Sequence, residues 1–239
     1  MLSVVIAAAA VVLAPAPSPA RTAPAPVLRK IVYRFAFDRK VERSMTQSGG
    51  PSIDVGSASS NSGTLTVDVR QVGGDGSLRV SAKVEYVKAA STQRPFTAEI
   101  VVRPDGSLRV INGTYDDKMQ ILLPYLATKY FVDHQLQGGA TWKVVSPPSD
   151  SVKTTTTFIV TNVAGTSATI SFSGQAHGGP LPGAATIQST LVYKASLLVP
   201  LSLDVMIVRT GAGASAGTTA PQQDRTHYRF DRVSDSRDP

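Results

Sequence analysis

Apolar and polar residues alternate one for one in segment after segment of this 239-residue chain. Ile31, Tyr33, Phe35 and Phe37 interleave with Val32, Arg34, Ala36 and Asp38. Leu65, Val67 and Val69 do the same with Thr66, Asp68 and Arg70, and Leu78 to Tyr86 repeats the pattern. A period of two places every apolar side chain on one side of an extended strand, so each segment needs a core on one face and tolerates water on the other. Turn chemistry separates the segments. Gly73–Gly76 and Pro104-Asp105-Gly106 carry Asp-Gly, a strong hairpin signal because glycine adopts positive φ without steric cost. The hexapeptide DGSLRV occurs at 75–80 and again at 105–110, which reads as two hairpins meeting the same turn demand.

Strands are expected at 31–38, 65–70, 78–86, 96–103 and 108–111 in the first half. In the second half they are expected at 142–146, 152–163, 167–175, 184–195, 197–209 and 227–233. Pro200 marks an edge, a bulge or a break in its strand. Residues 46–62 and 210–223 are small, polar and rich in Gly and Ser or Thr, and read as loops. One segment departs from period two. In Asp116–Gln137 the apolar residues Met119, Leu122, Leu123, Leu126, Ala127, Tyr130 and Phe131 fall at helical offsets. Asp116 and Asp117 suit the start of that helix, Pro124 predicts a kink or a short turn before a helix, and Gly138-Gly139 predicts its end. The expected fold is mainly β with one helical segment: a large curved antiparallel sheet, or half-barrel, covered by a helix.

The N-terminus predicts export. Leu2–Ala14 is an uncharged apolar run followed by small residues and prolines, with no charge before Arg21. The run is too short for a transmembrane helix, which needs about 20 apolar residues, and it fits a signal peptide over 1–20 cut after Ala16 or Ala20. A Pro-rich exposed leader at 21–30, a single β-rich domain at 31–235 and a tail at 236–239 complete the expected organisation. A periplasmic or secreted bacterial protein also accords with Arg outnumbering Lys 15 to 9 and with only three glutamates. No cysteine occurs, which excludes a disulfide framework, thiolate metal sites, a cysteine nucleophile and anchoring through a cysteine-linked lipid.

Recognisable catalytic chemistry is sparse. Gly213-Ala214-Ser215-Ala216-Gly217 spells a nucleophile elbow, but in a Gly/Ala-rich stretch with no helix after it. His134, His177 and His227 stand singly, so neither a metal site nor a cofactor is expected. Asp116-Asp117 is the only candidate carboxylate pair, and adjacent side chains diverge, so capping is the better reading. No phosphate-binding glycine loop is present. Residues 21–43 carry seven basic side chains against two acids, most of the net charge of +7. Arg29, Lys30, Arg34, Arg39, Lys40 and Arg43 are therefore the expected polyanion-binding positions, with anionic envelope surfaces as partners and no nucleic acid.

The order of a signal, a β-meander, one helical segment and then G-x-x-W opening a second β run resembles exported bacterial β-rich proteins of unknown function. More distantly it resembles the half-barrel lipoprotein-carrier family of the envelope. That resemblance is architectural, and it implies a curved sheet and helix enclosing an apolar cavity for lipid. The first functional expectation is thus a non-catalytic exported protein holding an apolar or lipid-like ligand between sheet and helix. Leu122, Leu126 and Tyr130 would line the helix side, and Phe35, Tyr86 and Phe172 the sheet side. The alternatives are a structural or adhesive envelope module using the basic N-terminal strand, and a hydrolase whose site joins a histidine, a serine and an acid in space.

Overall fold

The computed structural model describes residues 26–46, 52–87, 94–126, 136–145, 153–177, 184–215 and 218–238. At 43–46, 52–55, 153, 177, 184, 212–215 and 218–222 the description is of the backbone. The proposed signal peptide and residues 21–25 of the leader lie outside the described residues.

Eleven strands form one antiparallel sheet that is not closed into a barrel. The first meander runs β1 (Arg29–Thr46), β2 (Ser52–Val72), β3 (Leu78–Tyr86), β4 (Phe96–Val102) and β5 (Leu108–Gly113). A helix α1 (Asp117–Leu122) and a 3₁₀ turn (Leu123–Leu126) follow. The second meander runs β6 (Thr141–Val145), β7 (Lys153–Ala164), β8 (Ser167–His177), β9 (Ala184–Lys194), β10 (Val199–Ser215) and β11 (Thr218–Asp235). The spatial order is β5-β4-β3-β2-β1-β11-β10-β9-β8-β7-β6, so the first and last strands pair in the middle of the sheet.

The alternating segments all form strands, and the shared hexapeptide builds the same turn twice. Gly76 N donates to Gly73 O and Gly106 N to Arg103 O, both at 2.9 Å. In each copy the aspartate accepts from a serine amide two residues on, Ser77 to Asp75 and Ser107 to Asp105, at 2.9 Å. Gly76 and Gly106 have φ of 86° and 80°, the conformation for which glycine is suited. Pro200 lies at a register shift against β9, the bulge that proline in a strand demands.

Two loop readings are corrected. Residues 52–62 extend β2 against 36–46 of β1, and 210–215 with 218–223 extend the β10–β11 hairpin. Small polar residues carry no alternation signal, yet here each backbone has a ladder partner, and pairing outweighs weak propensity. At the other margins, Arg29 and Lys30 already belong to β1. Ser236 is bound to Lys30 through backbone and side chain, which ties this part of the tail to the sheet.

Around Pro124 the helical segment is short and tight. α1 spans only six residues and tightens into the 3₁₀ turn just before Pro124. Proline lacks the N–H that would bond the fourth residue back and crowds that carbonyl, so the α-helix cannot continue through it. Residues 127–135, with Ala127, Tyr130, Phe131 and His134, lie outside the described residues. Gly139, at φ 84°, sits in a turn ahead of β6.

The core lies on one face of the sheet. Tyr33, Leu65, Val67, Val80, Val84, Ile100, Ile170, Leu191, Leu203 and Phe230 are fully buried there. Met119, Leu122 and Leu123 of the helical segment close over them. The curvature follows from the contacts of the four-residue 3₁₀ turn, which touches both β4 and β10. Those strands are five positions apart, about 24 Å in a flat sheet, so the sheet must curl around the turn. Gly63 permits the tight fit of β2 against the core, since a Cβ there would stand 2.1 Å from Glu85 O and 2.8 Å from the Phe35 ring. No described helix is long and apolar enough to cross a membrane.

Candidate functional site

The concave face and the strap of α1 and 3₁₀ turn laid across it make up the candidate site. Asp116 caps α1, accepting from Met119 N at 3.1 Å, which is the capping role read for the Asp116-Asp117 pair. One turn before Leu122 stands Lys118, on the inward side and only 6% exposed. Its Nζ lies 3.0 Å from Asp116 Oδ2 and 3.4 Å from Asp117 Oδ1. Three aromatic rings surround the same ammonium: Phe35 at 5.7 Å, Phe37 at 5.5 Å and Tyr86 at 5.5 Å to their centroids. Ring faces carry partial negative charge and attract a cation at this range. Burial alone would lower the pKa of Lys118, but Asp116 and Asp117 outweigh it and hold the pKa above the ordinary lysine value. Tyr228 of β11 donates its hydroxyl to Asp117 Oδ2, tying the strap to the middle of the sheet. Burial first, and then that bond to a carboxylate, push the Tyr228 pKa up.

The six residues expected to line an apolar site resolve as follows. Phe35, Leu122, Leu126 and Phe172 share one core and are 5% exposed or less. Tyr86 is half-buried and meets Phe35 edge to face at 5.8 Å. Tyr130 lies outside the described residues. The strap's own side chains therefore occupy the space above the sheet. The sequence reading missed Lys118 and Phe37 as members of this site. Lys118 is four residues before Leu122, and that offset was the available signal.

The basic positions do not form one stripe, because period two divides them. Lys30, Arg34 and Lys40 are exposed and share the convex side, whereas Arg29 and Arg39 follow the core-facing register. Internal acids hold three of the six. Arg29 grips Asp235 through Nε and Nη2 at 3.0 and 2.5 Å, and Arg39 grips Asp224 at 3.0 and 2.7 Å. Lys40 lies 2.6 Å from Glu42. Burial would raise both aspartates, but the arginines reverse this and depress their pKa values. Arg232 adds a bond to Asp235 at 3.2 Å and one to Asp238 at 3.0 Å, making an ion cluster at the end of the core opposite Lys118. Arg43 pairs with Val55 and Gln222 by backbone register, and its side chain lies outside the described residues.

A shallow trough of about 450 Å³ runs along the extended hairpins, lined among others by Asp38, Lys40, Ser60, Arg225 and His227. His227 Nε2 lies 2.9 Å from Asp204 Oδ1, and Arg229 approaches the same carboxylate at 3.4 Å. No hydrogen bond joins His227 to a serine among the described residues. Ser215 of the elbow-like spelling pairs with Thr218 in a strand-to-strand hairpin, not at a strand-to-helix turn. His134 and the side chain of His177 lie outside the described residues. Among the described residues no three His, Asp or Glu side chains are grouped to hold a metal.

No protein-family model matches the chain, and a search of curated proteins finds no relative.

Proposed function

We propose that this is an exported, non-catalytic binding protein that accommodates an apolar or lipid-like ligand on the concave face of its open sheet. The strap would lift to admit the ligand; the half-barrel lipoprotein carriers that the chain resembles in layout enclose an apolar cavity for lipid between sheet and helices. One observation carries the reading: a strap of six helical and four 3₁₀ residues is laid over an apolar concavity wide enough to reach from β4 to β10. A helix this short has little stability of its own and holds mainly through what it packs on. Its buried Met119, Leu122, Leu123 and Leu126 are the kind of surface a lipid chain could replace. The apolar run Leu2–Ala14 supports export to the periplasm or beyond.

The test is native mass spectrometry, with organic extraction, of the full chain expressed in a bacterium with its own N-terminus. An apolar molecule bound at near one-to-one stoichiometry is the expected result, on a chain whose mass shows loss of the first 16 or 20 residues. A bare protein mass that takes up no lipid on titration would overturn the binding reading. For the envelope-adhesion alternative, Arg29 and Arg39 are committed to Asp235 and Asp224, while Lys30, Arg34 and Lys40 remain exposed on the convex side.

A further inference from the structure

We infer that the ligand is an amphiphile with a cationic, alkylammonium-type head group, and that the strap imitates it. The head would take the place of the Lys118 ammonium among Phe35, Phe37 and Tyr86, and the tail the place of Met119, Leu122 and Leu126. The inference rests on the binding reading above and adds the chemistry of the head group.

The box and the cation it holds belong to different parts of the fold. Phe35 and Phe37 are on β1 and Tyr86 ends β3, so the rings stay with the sheet. Lys118 and its two carboxylate partners are on or beside α1 and leave together when the strap lifts. What remains is a cluster of aromatic faces with no carboxylate partner from the strap. A primary ammonium with three N–H donors fits such a place poorly, because buried donors need acceptors. A quaternary ammonium has no donors, is weakly hydrated and is attracted by ring faces alone. The same faces disfavour an anion.

Two cations stand nearby, Arg39 of β1 and Arg209 of β10, both beside Asp224. Arg39, further along β1 in the same register, is already gripped by Asp224 through two of its nitrogens and so is engaged before an anionic head group arrives. The tail follows from sequence order. Directly after Lys118 the strap buries Met119, and then Leu122, Leu123 and Leu126, an apolar stretch attached to a boxed cation.

The probes are tetradecyltrimethylammonium, tetradecanol and tetradecanoate, which share one tail and differ in head charge. Each is titrated below its aggregation concentration into the full chain by calorimetry. The ammonium is expected to bind about tenfold more tightly than the alcohol, and the carboxylate no better than the alcohol. Phe37→Leu, at a half-buried position, should pull the ammonium-to-alcohol ratio towards one. If that variant fails to fold, the ratio in the natural chain still decides. Equal binding of ammonium and alcohol would overturn the head-group inference and leave the apolar-binding reading intact. Tightest binding of the carboxylate would overturn it in favour of an anionic head. Binding of none of the three would overturn both readings.

Discussion

Buried and half-buried ionisable side chains give this protein a defined response to pH. Burial pushes Tyr33, Tyr115, Tyr193 and Tyr228 above the ordinary phenol range, and Lys118 is held above the ordinary lysine value despite its burial. An unfolded chain titrates these groups near pH 10, so above that it has released protons that the folded chain still keeps. Their contribution is therefore complete below about pH 10 and is lost as pH rises towards the folded values. Asp224 and Asp235 act in the opposite sense. Their depressed values make a contribution that is complete above about pH 4 and lost as pH falls through the folded values. The melting temperature should fall steadily above about pH 10, and tyrosinate absorbance should rise in two stages, the second coinciding with loss of near-ultraviolet dichroism. A single smooth titration of all seven tyrosines in a chain that stays folded would contradict the burial argument.

Among the elements, the strap is the one whose independence matters. Its start depends on Asp116, which both caps α1 and holds Lys118. Asp116→Ala should loosen it by about 1 kcal/mol or somewhat more, speeding amide exchange at 119–123 roughly tenfold. Exchange in β1 and β11 should stay unchanged. If the central strands accelerate equally, strap and sheet open as one unit, and a cover that lifts alone is ruled out. The elements also show how far sequence reached. Strands with one wet face announced themselves through alternation, as in 31–37 and 78–86, because each step across the pleat changes solvent. The extensions at 52–62, 210–215 and 218–223 did not, since Ser, Gly, Ala and Thr record no difference between faces. Their state is set by partners up to about two hundred residues away, as Arg43 paired with Gln222 shows. The site was partly legible for the same reason. Phe35, Leu122 and Leu126 fell on apolar faces in plain sight, whereas the box around Lys118 joins three separated segments, and no local period records that meeting.

The whole molecule is two meanders joined in the centre by the two strands nearest the chain ends. β1 pairs with β11 over Ile31–Arg43, and Ser236 N bonds Lys30 O at 2.9 Å, so the ends of the described chain lie side by side. Paired residues across that seam, from Arg43 with Gln222 to Ile31 with Asp235, lie far apart in sequence, and such contacts are slow to form because loop closure precedes any gain from pairing. Until β11 arrives, each meander presents an open inner edge, β1 on one and β10 on the other. Linking the region after Asp238 to Leu28 and opening the chain in the Pro104-Asp105-Gly106 turn would make the β11–β1 seam a local hairpin without altering a ladder. That circular permutant should keep the dichroism of the natural chain, since surface turns and neighbouring ends tolerate the exchange. It should also refold faster, by about tenfold or more, with stability changed by roughly 1 kcal/mol. Stopped-flow refolding of both chains measures this. Equal rates would mean that the seam is not what limits folding, and the slow step would then belong within one of the meanders.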